Sequence, residues 1–428
     1  REFIGVFYGI MLDRGKRGRV LKNFIKKYSL LIISAISILT ITLMANSVFA
    51  YTPQQLYEQV WRLVNTKYVD QTNNEQNWQR WHHKYDKCIK TDEDAYVAIQ
   101  TMLASLNDPY TKFLDPKEFE EETSSIKGSL KGIGVQIGVR DGKLLIIAPI
   151  EDTPGERAGL QAEDEILEID GKSTKGITVD KAADQIRGEE GTYVTLLIKR
   201  KNQENQVYKI QRAEIELKSV STKLPTESVK LADSVGYIRL SSFISKNASV
   251  EFEKALNGYK DKKGYIIDLR SNPGGLLSNA IIISDMFLNG GVIVSTVDRD
   301  GYKETMRAAR SNVTNKPIVI LINKGSASAS EIFSGAMKDN KRAVLVGENS
   351  FGKGLVQEVN KLMGGSGANI TIQKYLTPNG TDINKKGITP DVVVELTEQD
   401  IKDKYDRQLQ KANDVLLELI NKQLMVLK

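Results

Sequence analysis

From Pro53 to about Phe119 the apolar positions recur at helical spacing. Leu56, Val60, Leu63 and Val64 share one stripe of "PQQLYEQVWRLVNTKY", and Tyr96, Ile99, Met102 and Leu103 share one of "DEDAYVAIQTMLASL". "NDPYTKFLDP" then breaks the period with two prolines. The pattern predicts a small helical region whose apolar face must pack on something else. Between about 124 and 213 the period shortens. β-rich runs ("GIGVQIGV", "KLLIIAPI", "DEILEIDG", "TYVTLLIKR") are separated by Gly, Pro and Asp turns. From about 235 to 396, apolar strand-like runs such as "VGYIRLSSF", "GYIIDLR", "PIVILIN" and "DVVVEL" alternate with helical ones. That alternation predicts an α/β core, with helices packed on a largely parallel sheet. The tail from Glu398 is helical again, with Val415, Leu416, Leu419, Ile420 and Leu424 on one stripe. The two terminal helical regions are candidates to pack on each other or to form a homodimer.

Length and charge narrow the reading. A chain of 428 residues is long enough for two or three domains. The net charge of +6 comes entirely from residues 1–50, which hold eight Lys or Arg against Glu2 and Asp13. The balanced remainder argues against a nucleic-acid partner, which would need its own basic surplus. Within the first fifty residues a basic run, "RGKRGRVLKNFIKK", precedes the apolar "LLIISAISILTITLM", and "SVFA" ends at Ala50. This is the layout of an export signal. The apolar stretch is also barely long enough to act as an uncleaved membrane anchor. Cys88 is alone, so no internal disulfide forms, and no His/Cys/Asp cluster has metal-ligand spacing.

The chemistry concentrates around "GSASASEIF", residues 325–333, where a buried strand feeds a tight turn and then a helix. A serine on such an elbow is sharply presented, and the helix N-terminus offers free N–H groups to a developing oxyanion. Serines at a helix start also simply cap it. The only histidines, His82 and His83, lie far upstream in a polar stretch. Lys353, between Gly352 and Gly354, supplies an alternative base if burial lowers its pKa. Gln357 shares its strand face and would hold the amine without adding charge. Upstream, Gly274 and Gly275 in "DLRSNPGG" would let backbone N–H groups approach a substrate carbonyl.

Two resemblances follow from these stretches. Residues 124–213 resemble a PDZ domain: "KGIGVQI" stands where such domains bind a peptide carboxylate, and "TVDKAADQIRG" where they keep the groove helix. By this likeness Gly132, Ile133, Gly134 and Val135 form the peptide-binding loop. Ala162-Glu163-Asp164 departs from the usual Gly-Asp ending. The chain from about Tyr51 to Leu396 resembles the carboxyl-terminal processing peptidases, secreted serine–lysine proteases with an inserted PDZ domain and a crotonase-like core. "DLRSNPGG", "NKGSASASEI", "GENSFGKGLVQ" and "GITPDVVVE" carry the likeness in order. It implies Ser328 as nucleophile, Lys353 as base and Gln357 as its orienting partner. Gly275 (or Gly274) and the Ala329 N–H become the oxyanion donors, with Ser326 and Ser330 as capping or packing neighbours. Arg187 falls where the family's PDZ domain touches the protease domain. The implied layout is a leader or anchor in 1–50, a helical region in 51–123, PDZ in 124–213, protease core in 214–397 and a terminal helix in 398–428. The implied function is an exported endopeptidase of the periplasm, the outer face of a membrane or a lumen-like compartment. It acts without cofactor or metal on proteins with exposed C-termini. A catalytically dead PDZ adaptor is the competing reading. A trypsin-like enzyme is excluded by the histidine positions.

Overall fold

The computed structural model describes residues 51–426 apart from Glu151 and Arg310, so the leader lies outside the described residues. Helix α1 (Pro53–Lys67) and helix α2 (Asp92–Ala104) each start at a capping box, Thr52 with Gln55 and Thr91 with Asp94. Leu56, Val60, Val64, Ile99 and Met102 are wholly buried, as the stripe requires. They pack with Trp61, Trp78 and Trp81 against Ala368 and Ile370, far along the chain. The proline-bounded stretch then forms strand β1 (Lys112–Leu114), and helix α3 (Pro116–Lys127) starts at its second proline.

The inserted domain is tied at its base by β2 (Ser129–Gly132), which pairs antiparallel with the returning strand Ala213–Glu216. It continues through β3 (Val135–Arg140), β4 (Lys143–Pro149), the short α4 (Pro154–Arg157), β5 (Glu165–Ile169), β6 (Lys172–Ser173), α5 (Val179–Ile186), β7 (Tyr193–Lys199) and β8 (Gln206–Gln211). Its antiparallel sheet has the order β3-β4-β5-β7-β8, with β6 on β5. β3 is therefore an edge strand, and α5 packs beside it. That leaves an open strand edge next to a helix, the geometry into which an extended peptide adds.

After β9 (Ala213–Glu216) come β10 (Val220–Ser221), β11 (Val235–Leu240), α6 (Ala248–Gly258), β12 (Gly264–Asp268), α7 (Leu277–Asp285), β13 (Val292–Asp298) and β14 (Lys303–Arg307). Then follow β15 (Ile318–Ile322), α8 (Ala329–Asp339), β16 (Val344–Gly347), β17 (Leu355–Lys361), β18 (Gly367–Leu376), β19 (Val392–Val393), α9 (Glu398–Lys402) and α10 (Arg407–Val426). One sheet has the order β10-β11-β12-β15-β16-β19 and is parallel from β11 onward. Alternate residues face opposite sides. Ile238, Ile267 and Ile320 meet Phe252, Ile283 and Phe333 of α6, α7 and α8, whereas Tyr237, Ile266 and Val319 meet Leu409, Leu416 and Ile420 of α10.

The alternation pattern pointed to one sheet, and the structure has two. β13, β14, β17 and β18 join β1 in a wholly antiparallel second sheet. The few residues between β17 and β18 are too short for a parallel crossover, so the pair must turn back as a hairpin. The terminal helices do not pack on each other. α1 covers the second sheet and α10 the first, with Leu56, Val60 and Val64 of one stripe and Leu416 and Ile420 of the other buried within their own chain.

Candidate active site

β15 is buried at every position, and the chain leaves it through Asn323, which bonds Ser271 N–H and Gly325 N–H. At the start of α8 the backbone of Ser328 adopts φ 54° and ψ −115°. A non-glycine residue held there stores roughly 1–3 kcal/mol of strain, which persists only where the surroundings fix it. The three serines have different surroundings. Ser326 Oγ donates to Leu269 O at 2.8 Å and Ser330 Oγ to Asn272 O at 3.0 Å, both fully buried. Ser328 Oγ donates to no backbone carbonyl among the described residues, and the residue is half-buried in the wall of a cavity of about 730 Å³.

Glu331, one turn into α8, holds the elbow. Its wholly buried carboxylate accepts Ser328 N–H at 2.8 Å, Ser350 Oγ at 2.5 Å, Gly352 N–H at 2.7 Å and Lys353 N–H at 2.9 Å. One side chain thus fixes both the serine elbow and the loop bearing the lysine. The Ser-x-x-Glu spacing of a capping box was the sequence signal for it.

Lys353 lines the same cavity as Ser328, Gln357, Gly274 and Gly275. Its ammonium stands 4.6 Å from the centre of the Tyr110 ring. Burial pulls its pKa below the ordinary lysine value and Lys112 adds to this, while Asp108, Glu122 and Glu331 oppose it. Gln357 is half-buried, and its amide donates to Thr371 Oγ1 at 3.3 Å.

The glycine loop presses on the elbow. A Cβ at Gly274 would lie 2.8 Å from both Ser328 Cβ and Ala329 N, so only glycine fits. The two candidate donors in this loop differ. Gly274 N–H is taken by Asn272 Oδ1 at 2.9 Å, while Gly275 N–H and Ala329 N–H have no partner among the described residues. His82 stacks on Trp61 and pairs with Glu58, away from the cavity.

In the inserted domain, the carbonyls of Ile133 and Gly134 accept Gly155 N–H and Ile150 N–H, while the Ile133 and Gly134 N–H groups are unpaired among the described residues. Ile133 is buried in the domain core, Gly132 ends β2, and Val135 opens the edge strand β3. Arg187, at the end of α5, lies 3.2 Å from Glu121 of α3. It is not brought beside Lys353. α3 stands between them: Glu121 and Glu122 also line the cavity that holds Lys353. Lys117–Asp184 and Lys131–Glu189 pairs reinforce the same seam. Tyr110 escaped the sequence reading because it falls in a stretch read only as a break in helical periodicity, and α3 because it straddles the boundary drawn between residues 123 and 124.

Residues 234–394 match peptidase family S41, and residues 145–200 match the PDZ domain. The chain is 43% identical to the carboxyl-terminal-processing protease of Synechocystis sp. over 86% of its length and 88% of that protein's. It is 36% identical to the chloroplastic carboxyl-terminal-processing peptidase 2 of Arabidopsis thaliana, over 85% and 73% of the two chains. The solved photosystem II D1 C-terminal processing protease superposes with a TM-score of 0.54 at 31% identity, covering 81% of this chain and 94% of that one. With the PDZ insert and the α/β core already in place, these likenesses make the chain a member of peptidase family S41, among the carboxyl-terminal-processing proteases.

Proposed function

We propose that the chain is an exported serine endopeptidase that captures the C-terminal tails of protein substrates in its PDZ groove and cuts them with a Ser328–Lys353 pair. A neutral Lys353 amine takes the proton from Ser328 Oγ, and the oxygen attacks the scissile carbonyl. The oxyanion forms between the N–H groups of Gly275 and Ala329, which are otherwise unpaired. The lysine ammonium then returns its proton to the leaving amine. Water, deprotonated by the same lysine, hydrolyses the acyl-enzyme ester. Gln357 keeps the amine in register without adding charge, and no metal or cofactor enters the cycle. The backbone N–H groups before β3 receive the substrate's terminal carboxylate while its last residues extend the sheet edge. Export rests on the basic-then-apolar order of residues 14–44, and the relative named chloroplastic fits work in a separate compartment.

One observation carries the catalytic reading: the strained Ser328 elbow shares a cavity with a lysine whose charge is disfavoured by burial. The test is cleavage of a protein with an apolar C-terminal tail by the full chain and three variants. Ser328→Ala should abolish cutting and keep peptide binding, while Ser326→Ala and Ser330→Ala retain substantial activity. Normal cutting by Ser328→Ala would end the proposal. Binding without cutting in the wild type would favour the adaptor.

A further inference from the structure

Lys353 must shed a proton before it can act as a base, yet its ammonium rests against the face of Tyr110. An aromatic face is a neutral surface that favours a cation. Tyr110 does not belong to the S41 match; it sits in the loop between α2 and β1. That loop is anchored to the catalytic sheet. Asp108 accepts Tyr110 N–H at 2.9 Å and Thr111 Oγ1 at 2.7 Å, and Thr111 Oγ1 accepts Thr371 N–H at 3.0 Å. Thr371 in turn accepts the Gln357 amide. The Tyr110 backbone and the Gln357 side chain are therefore linked through one hydrogen-bonded chain, and the lysine meets it only at the ring.

The other charged groups around the amine come from four elements: Asp108 from the same loop, Lys112 from β1, Glu122 from α3 and Glu331 from α8. Tyr375 of β18 donates its hydroxyl to the Lys353 backbone carbonyl, not to the amine. Tyr110 also belongs to two walls, that of the catalytic cavity and that of a neighbouring cavity of about 570 Å³. Lys353 lines the first of these and not the second.

We propose that Tyr110 is a positioning residue for the general base: its ring face holds the Lys353 amine in the groove and sets the pH at which that amine becomes neutral. The proposal rests on the Ser–Lys reading above. Removing the ring while keeping the bulk takes away a stabiliser of the ammonium, so the amine forms at lower pH. Leucine serves better than alanine, because an opened wall would admit water and push the pKa the other way.

The experiment uses the full chain and the variants Tyr110→Leu, Tyr110→Phe and Tyr110→Trp. The acidic limb of kcat/KM against pH is measured first. Separately, the pH dependence of Lys353 acetylation by trace acetic anhydride is read by peptide mass spectrometry, independent of turnover. From the strength of a ring–cation contact, both midpoints should fall by roughly 0.5 to 1.5 pH units in Tyr110→Leu. They should stay in place in Tyr110→Phe and rise in Tyr110→Trp. A purely structural role would lower stability and activity without this ordering by ring strength. Unmoved midpoints in Tyr110→Leu and Tyr110→Trp overturn the proposal, as does a Tyr110→Phe shift equal to that of leucine, which would implicate the hydroxyl. If acetylation shifts but the kinetic limb does not, Lys353 is not the base. The Ser–Lys reading then fails, and the catalytic role of Tyr110 with it. If Tyr110→Leu does not fold, the Phe and Trp pair still decides the outcome.

Discussion

Replacing Glu331 separates hydrogen-bond pattern from charge at the site. Its Oε1 accepts Ser350 Oγ and Gly352 N–H, and its Oε2 accepts Ser328 N–H and Lys353 N–H, with the Tyr375 hydroxyl at 3.5 Å. In Glu331→Ala three backbone N–H groups lose their acceptor. Each unsatisfied buried donor costs about 1–3 kcal/mol, so the lower bound is about 3 kcal/mol. That loss falls on the elbow and on the lysine loop together, and it corresponds to roughly a hundredfold in turnover if borne by the transition state. Glu331→Gln behaves differently. Turned so that its NH2 faces Ser350, whose hydroxyl already accepts Ile388 N–H at 2.6 Å, the amide orphans only Gly352 N–H of the three backbone donors, while the Ser350 hydroxyl loses its acceptor and must turn its hydrogen elsewhere. The contacts to Ser328 and Lys353 survive. The expected cost is about 1–3 kcal/mol of stability, with turnover largely kept. Loss of a negative charge near Lys353 also disfavours its ammonium, so the acidic limb of the rate profile should move to lower pH. Thermal unfolding and kcat across pH, measured on the same preparations, check all three statements. A Gln variant as inactive as the Ala variant, with its limb unmoved, would refute the hydrogen-bond argument.

Lys353→Arg should be inactive at every workable pH, because a guanidinium stays protonated; cleavage at near wild-type rate would refute the base assignment. For the unmodified chain, turnover should rise with pH through a midpoint below the ordinary lysine value, since burial favours the neutral amine, and chelators should leave that profile unchanged. Arg187→Ala and Glu121→Ala should each lower turnover while leaving C-terminal peptide affinity near normal. The double variant should be no worse than either single one, because both act through one contact; additive losses would mean that Arg187 works elsewhere.

Much of this fold was legible because its signals are local. The stripe at Leu56, Val60 and Val64 states a helix and its buried face. The run "PIVILIN" states a strand buried on both faces, and β15 is so at each position. Pairing partners are a different matter. Nothing in "NITIQKYL" tells whether β18 lies in the parallel sheet or, as it does, beside β13, β17 and β1. Strand propensity is the same in either place. The site divides along the same line. Ser328, Lys353 and Gln357 stand in short recognisable stretches, so the sequence could nominate them together. Tyr110 and Glu121 contribute through contacts with residues hundreds of positions or a whole domain away, and such contacts leave no periodicity. The resemblance already put Gly275 ahead of Gly274, but that Asn272 Oδ1 takes the Gly274 N–H was not legible.

The glycine loop beside Ser328 must be kept in place against the strain of its surroundings. Ser271 has φ 58° and Ser328 φ 54°, both sparsely populated for non-glycine residues. Directly before the loop, Asp268 is wholly buried at the end of β12. Burial alone would raise its pKa, but Arg270 and Arg239 outweigh it and hold the carboxyl below its usual range. The stability it contributes is therefore full above the ordinary carboxylate range and is lost as pH falls below it. Arg270 bonds Asp268 at 2.7 Å and reaches both oxygens of Asp406 at 2.8 Å, while Asp406 also accepts Leu409 N–H at the start of α10. A buried ion pair is weak evidence for stability, since an apolar plug of the same volume often does as well. The planar guanidinium fork adds direction, because it meets a carboxylate in one geometry. Residues 268 and 270 flank the departure of the glycine loop, so a fixed fork there fixes the direction in which the chain leaves the sheet. The last helix of the chain thus does more than cover the sheet: through Asp406 it sets the strand end from which Gly274 and Gly275 approach Ser328.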